Sequence, residues 1–469
     1  MVASMRRVDS AGAGFLYGET PGWHMHVSAL MILDPTDAPG FSFETLKEGY
    51  GRRLGTAPAL RCRLVDAPLG LDRPVLVDDP DFDLDAHFHR TVVPAPGTRR
   101  ELADVVATLI SRKLDRSRPL WEAWWIDGLE DGRVAVVVKI HHALIDGVSG
   151  VNLSGLIMDL EPNPGPHAEP ALSAARETSP SSARLGLAAL GTLAALPWRS
   201  ARFAHQLGRQ SATFGRHMFR PESPPGMFAA PRSRFNRSIG AERCLAVSAL
   251  SMPDILTVKS AYGVSVNDVV LTICGGALRE YLGARGELPD ASLVAQVPVS
   301  VRTEQTMSEP GTQVVNMFTT LATNVADAAE RLEVVHSVTL RAKAYQHAIF
   351  ADRAVAMPDL MPPVVLGVIA HAFTRLGLER HIPPLYNAIV SDVRGSPVDL
   401  YVCGARVESI YPFGPLLLGA ALNITALSHR DELNIGFLAT PESVPDPWEL
   451  VKHTETELRR LVEAARGVG

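Results

Sequence analysis

The chain is poor in cysteine. Its 469 residues include 4, Cys62, Cys244, Cys274 and Cys403, scattered and without CxxC spacing. That excludes a disulfide-stapled scaffold and a paired-cysteine redox or zinc motif, and leaves free, mostly buried thiols in a reducing compartment as the expectation. An excess of positive charge is also missing: 45 Lys and Arg stand against 51 Asp and Glu, a net charge of -6. General electrostatic attraction to nucleic acid is therefore not expected, with room left for a local basic patch. No secretory signal is visible, because the two arginines of MVASMRRVDSAGAGF lead into no apolar core. Nor is any apolar run long enough to span a bilayer, which takes about 20 uninterrupted residues. The best stretch, Val355 to Phe373, contains Asp359, His371 and three prolines, and Leu185 to Leu196 is too short. A cytoplasmic protein is expected, with room for a peripheral role at a membrane.

What is present is ordinary globular composition, 46% hydrophobic and 20% charged, which rules out global disorder and collagen. At roughly 100–200 residues per domain the length predicts two to four domains. The one sharp break in composition is EPNPGPHAEPALSAARETSPSS from Glu161, echoed by PESPPG from Pro221; proline blocks helix and sheet, and small polar residues bury too little to fold. The reading is therefore an N-terminal domain over 1–160, a connection over 161–234 and a C-terminal domain over 235–469.

Both large segments mix element types. Met25 to Leu33 reads as a strand, Phe43 to Leu54 as a helix, and Glu101 to Leu114 as a helix with an apolar stripe. The alternation of Phe82, Leu84, Ala86 and Phe88 predicts a strand over Asp81 to Val93. Trp121 to Ile126 and Val134 to Ile140 read as a hairpin around EDGR. The second segment opens with a strand over Cys244 to Leu250, helices over Met252 to Ala261 and Asn267 to Leu282, and a buried strand over Ser292 to Val301. Two α/β layers, each a sheet covered by helices, follow.

The chemistry concentrates in VAVVVKIHHALIDGVSG from Val134. A near-continuous apolar run is a central strand buried on both faces, and it ends on His141 and His142. Asp146 and Gly147 come next, then a helix over Val148 to Leu160. The end of a buried strand before a helix is where ligand sites of α/β sheets lie, and a histidine there suits general-base work because its pKa is near neutrality. Other roles fit the same residues: a buried, hydrogen-bonded His-His pair, a metal site lacking any suggestive third ligand, and Asp146 as a helix cap.

HHALIDG resembles the HHxxxDG motif of the bacterial wax ester synthase/acyl-CoA:diacylglycerol acyltransferases, within the wider group of chloramphenicol acetyltransferase, plant BAHD acyltransferases and condensation domains. The wider group shares only HxxxD. LDRSRPLWE resembles the family's PLW motif (Pro119, Leu120, Trp121) and VNDVVL its ND motif (Asn267, Asp268). VPVSVR, GARVESIYPFGPLLLGAALNI and VPDPWEL resemble its C-terminal blocks, and MHVSAL its opening block. Departures are Leu76 where tryptophan is usual, SDVRGSP for an SNVPGP-like stretch, and Thr312 for asparagine; they bear on acceptor preference.

The resemblance implies two chloramphenicol-acetyltransferase-like domains, each a mixed β-sheet with flanking helices, and an active-site tunnel between them. It implies long-chain acyl-CoA as co-substrate, diacylglycerol or a long-chain alcohol as acceptor, no cofactor and no metal. His142 corresponds to the general base and His141 to a supporting neighbour. Asp146 corresponds to a structural anchor, for which Arg302 is the expected partner. Gly147 completes the motif, and Asn267 is a candidate oxyanion donor or, with Asp268, a helix cap. Pro119, Leu120, Trp121 and Asp268 are channel candidates, with core packing the better reading of PLW. Ser149 has no base of its own, so direct transfer without an acyl-enzyme is expected. Ala183 to Arg220 carries six arginines, no acid, and interleaved leucines and aromatics. That suits an amphipathic surface helix on anionic lipid, inner membrane or lipid droplet, or a helix pair packed across the domains, with Pro197 expected to break it in two. A non-catalytic lipid-binding or droplet protein is the alternative from another class.

Overall fold

A computed structural model describes residues 6–144, 157–163, 181–218, 229–300, 314–349, 362–378 and 381–468. In the first half, α1 (Ser10–Gly18), β1 (His26–Asp34) and α2 (Phe43–Arg53) precede β2 (Cys62–Val65), β3 (Val75–Asp78) and β4 (Phe88–Val92). Then come α3 (Arg99–Ile110), β5 (Trp121–Asp127), β6 (Val134–His141) and the long helix α4 (Ser182–Met218). The second half runs β7 (Cys244–Ser251), α5 (Met252–Tyr262), α6 (Val266–Gly283), β8 (Val294–Ser300), β9 (Val314–Thr320), α7 (Ala328–Ile349) and α8 (Pro363–Arg375). It closes with β10 (Ala388–Val393), β11 (Tyr401–Val402), β12 (Ala405–Phe413), β13 (Leu422–His429), β14 (Glu432–Ala439) and α9 (Trp448–Val468).

Two six-stranded sheets carry the fold, ordered β11-β12-β1-β6-β5-β4 and β7-β14-β13-β10-β8-β9. Each is mixed: β4 runs parallel to β5, and β10 parallel to both β8 and β13, while the other pairs are antiparallel. The two α/β layers are as expected. The halves interlock, however: β11 and β12 come from the C-terminal half yet extend the first sheet, β12 pairing with β1 from Ser28↔Phe413 to Asp34↔Arg406. Helix α3 packs between the layers, sharing one apolar cluster with Leu30, Ile32 and Val137 of the first sheet and Leu245, Val247 and Leu438 of the second.

Two expectations need correction. The strand over Asp81 to Val93 is confined to β4, because Leu84–Ala86 forms a 3-10 turn capped by Asp83, whose carboxylate accepts the Asp85 N–H at 3.0 Å. Pro197 does not split α4, which continues through it. One face of α4 is anchored: Leu185 is buried against Val75 and Val77 of the β2–β3 hairpin, Ala189 is buried, and the Thr192 hydroxyl donates to Asp72 at 3.1 Å. All four cysteines are free, with Cys62 and Cys274 buried.

Candidate functional site

Strand β6 is buried along its whole length between β1 and β5, as its apolar run requires. Lys139 is its only charged residue. Its ammonium donates to the carbonyls of Leu109 and Arg112 at 3.0 and 2.9 Å and pairs with Glu122, so it satisfies carbonyls at the C-terminal end of α3. The PLW segment fixes the far end of β6. Leu120 accepts the His141 N–H at 2.9 Å. Trp121, 1% exposed, stacks on His87 with centroids 4.4 Å apart and donates its indole N–H to the Leu60 carbonyl at 2.7 Å. Trp121 is a core residue, and Leu120 sets the height at which β6 ends.

At that end the two histidines part. His141 is the last residue of β6, opposite His26 of β1 in the register. Its Nδ1 accepts the Ala143 N–H at 3.1 Å, and its Nε2 lies 3.5 Å from Glu19 Oε1. His142 leaves the strand with its N–H bonded to the Met25 carbonyl at 2.8 Å. Its ring meets Phe15 edge-on, centroids 4.7 Å apart, and its buried Nδ1 has no hydrogen-bond partner among the described residues. Burial, reinforced by His141 beside it, pushes the His142 pKa down to about 4. The imidazole is therefore neutral at physiological pH, the form a base requires. His24 and His26 stack beside this pair at 5.6 Å, and burial lowers both pKa values, that of His24 to about 4.

The sequence motifs do not point to α1, yet this helix builds the other wall. Gly12 is what lets it come close: a Cβ there would stand 2.8 Å from Val8 Cγ1 and 3.2 Å from Ala143 Cα. Phe15 and Glu19 are thereby brought onto His142 and His141. Behind Glu19 opens a cavity of about 690 Å³ between α1 and α8, lined among others by Leu16, Lys113, Arg116, Val368 and His371. A small buried acid just after a glycine-rich helix is the only signal that could have revealed Glu19.

The ND pair divides. Asp268, 2% exposed, caps α6 by accepting the Ser265 N–H at 3.0 Å and hydroxyl at 2.8 Å, and it holds Thr339 at 2.6 Å and His336 at 2.9 Å on α7. Its carboxylate is committed to joining α6 and α7. Asn267 has a buried Nδ2 without a hydrogen-bond partner, and among the described residues no hydrogen bond joins it to His142. Asp146, Gly147, Ser149 and Arg302, and with them the expected Asp146–Arg302 pair, lie outside the described residues.

Comparison with known proteins places this geometry. Residues 8–270 match the wax ester synthase/diacylglycerol acyltransferase catalytic domain, and residues 310–462 the WS/DGAT C-terminal domain. A putative diacylglycerol O-acyltransferase of Mycobacterium tuberculosis is 35% identical over 99% of this chain and 91% of its own length. A probable diacylglycerol O-acyltransferase of the same organism is 34% identical over 96% of this chain and 97% of its own. Among solved structures, the wax ester synthase/diacylglycerol acyltransferase from Marinobacter aquaeolei VT8 superposes with a TM-score of 0.69 at 26% identity, covering 98% of this chain and all of that one. The first condensation domain of the calcium-dependent antibiotic synthetase shares the fold, with a TM-score of 0.55 at 17% identity over 99% of this chain and 97% of that one. With a catalytic-domain match across more than half its length and relatives aligned nearly end to end, this chain belongs to the wax ester synthase/diacylglycerol acyltransferase family and is an acyltransferase.

Proposed function

We propose that the enzyme esterifies diacylglycerol with the acyl group of long-chain acyl-CoA, by direct transfer, with His142 as general base. The observation that carries this is the placing of His142 at the end of the central strand, held by its own backbone N–H and by Phe15 with Nδ1 unpartnered among the described residues, a burial that favours the neutral imidazole. An alcohol is too weak an acid to ionise at neutral pH, so its proton must leave as its oxygen attacks. His142 takes that proton, the hydroxyl oxygen bonds to the thioester carbon, and the carbonyl oxygen becomes an oxyanion. Collapse breaks the C–S bond, and the departing CoA sulfur takes the proton back from His142. Asn267, whose buried amide nitrogen is unpartnered, is the proposed oxyanion donor. Asp146 paired with Arg302 would brace the motif loop, with Gly147 giving it room. No metal or cofactor is needed for this sequence of steps.

The substrates are water-insoluble, and two helices support a lipid-facing side. On α4, Leu187, Leu190 and Trp198 are exposed opposite the anchored face. On α8, Val368 and Ile369 are exposed while Gly367 packs on α1, where a Cβ would come 2.8 Å from the Tyr17 carbonyl. No single helix among the described residues is long and apolar enough to cross a membrane. Peripheral attachment to inner membrane or lipid droplet fits these features.

Thiol release from palmitoyl-CoA, measured with diacylglycerol, with hexadecanol and with neither, tests the reading. Diacylglycerol-dependent release that His142→Ala abolishes supports it. Preference for hexadecanol would make the enzyme a wax ester synthase, the other activity in the name of the Marinobacter protein. Release with neither acceptor, or with none of the three, would favour hydrolysis or a lipid-binding role.

A further inference from the structure

We infer that Glu19 is a positioning residue that holds both flanks of His142 and thereby aims the base. The inference rests on His142 being that base.

Two chains of contact leave one carboxylate and end on either side of the same histidine. In the first, Glu19 Oε1 accepts the Met25 N–H at 3.0 Å, and the Met25 carbonyl accepts the His142 N–H at 2.8 Å. In the second, Glu19 Oε1 faces His141 Nε2 at 3.5 Å, and His141 Nδ1 accepts the Ala143 N–H at 3.1 Å. With Nδ1 accepting from Ala143, Nε2 is the ring nitrogen left to face Glu19, a contact at ion-pair range that does not meet hydrogen-bond geometry. The backbone before and after the His142 side chain is thus referred to one point. That point is itself fixed: Arg116 donates to Glu19 Oε2 at 2.8 Å and to the Leu16 carbonyl at the end of α1.

The carboxylate stays charged in this setting. Burial alone would raise its pKa, but His141, the Met25 N–H and Arg116 outweigh burial and hold it well below the usual carboxylate range. Glu19 is only 8% exposed, whereas the Arg116 side chain is 46% exposed. Removing the acid therefore leaves Arg116 able to reach water, and the fold is spared an unpaired buried cation. The arrangement is that of an outer layer fixing a reactive group, where small displacements are costly because the reacting atoms must meet in line.

The test is a kinetic cycle. Glu19→Ala should lower kcat by on the order of 10²-fold, with KM close to wild type and a modest fall in melting temperature from the Met25 N–H left without its acceptor. Glu19→Gln keeps an oxygen for Met25 and His141 and should recover most of kcat. Arg116→Met frees the carboxylate from behind and should lower kcat to an intermediate level, which also covers the case of a poorly folded alanine variant. In a His142→Ala background, Glu19→Ala should add nothing, since it acts only through the base. A folded Glu19→Ala or Arg116→Met enzyme with wild-type kcat would overturn the inference. So would an equal proportional loss with and without His142. Wild-type turnover by His142→Ala alone would instead overturn the base assignment, independently of any Glu19 result.

Discussion

Two buried polar clusters of this enzyme, one over each sheet, are built differently. In the helical layer over the second sheet one buried ion pair is held from several sides, although Asn267 Nδ2, Tyr281 Oη and Glu457 Oε2 of that layer have no hydrogen bond among the described residues. Arg331, 1% exposed, pairs with the equally buried Glu457 and donates to the carbonyls of Val325 at 2.9 Å and Ala326 at 3.0 Å. Gly276 makes the room: a Cβ there would collide with Glu457 Cδ at 2.2 Å. At the end of the first sheet, by contrast, Nδ1 of His26 and Nδ1 of His142 are buried without hydrogen bonds among the described residues. An orphaned buried polar atom costs about 1–3 kcal/mol. The ion pair would be costly to break from one side, while the orphaned ring nitrogens at the end of the first sheet already carry a cost in stability. The comparison teaches that a candidate for chemistry is marked by orphaned, pKa-shifted imidazoles gathered at a strand end, since single orphaned polar atoms also occur elsewhere among the described residues.

The largest expected effect breaks the contrast at its reactive end. His142→Ala should reduce kcat about 10²–10⁴-fold, the usual contribution of a general base, with unfolding by urea unchanged or slightly harder. Arg331→Met should do the reverse. Loss of one partner from a buried pair costs about 3–5 kcal/mol, read as a fall in urea midpoint, and the Arg331→Met/Glu457→Met double variant should recover much of it. Specific activity of the surviving folded fraction should stay near wild type.

Acid separates the regions by titration. The pKa values of His24 and His142 fall from 6.5 to about 4 on folding, so the unfolded chain binds more protons between these limits. Their contribution to stability is complete above pH 6.5 and is lost as pH falls through about 4. Thermal unfolding temperature should drop across that window. The acid limb of kcat/KM should lie near pH 4 rather than near 6.5, and a limb at 6.5 would contradict the buried setting of His142.

A gentler change sharpens the role of α1. Gly12→Ala forces its Cβ against Val8 and the Ala143 backbone, overpacking worth about 1–3 kcal/mol. Its kcat should fall further than its stability, because the displaced backbone adjoins His142. The smallest effect on the purified enzyme is expected at the surface. Replacing Arg199, Arg202, Arg209 and Arg216 with glutamine should leave stability and turnover on detergent-dispersed substrate intact while releasing the protein from anionic liposomes at low salt, since each arginine near such a surface contributes about 1 kcal/mol. Wild-type protein that fails to float would make α4 a structural connection only.

Local pattern carried the elements a long way. The all-buried β6, the β5–β6 hairpin and the helices α2, α3, α5 and α6 follow from periodicity and caps, because side-chain spacing and the first hydrogen bonds of a helix are set by neighbours in the chain. The failures are equally instructive. The alternation at Phe82 to Phe88 reads as one strand, but a single Asp83 side-chain bond turns the backbone. Pro197 signals a break, yet α4, held on one face by Leu185 and Ala189, runs on without its lost hydrogen bond.

By itself the sequence determined the family, the two α/β layers and the histidine pair at the end of a buried strand, since these rest on local runs of residues. Tertiary structure alone decided that β12 completes the first sheet from across the chain, that Asp268 ties helices together, and that Gly12, Phe15 and Glu19 come up against Ala143, His142 and His141. The physical reason is range: strand pairing and pKa depend on which groups meet in space, and residues 19 and 141 carry no mark of each other until the sheet brings them to 3.5 Å.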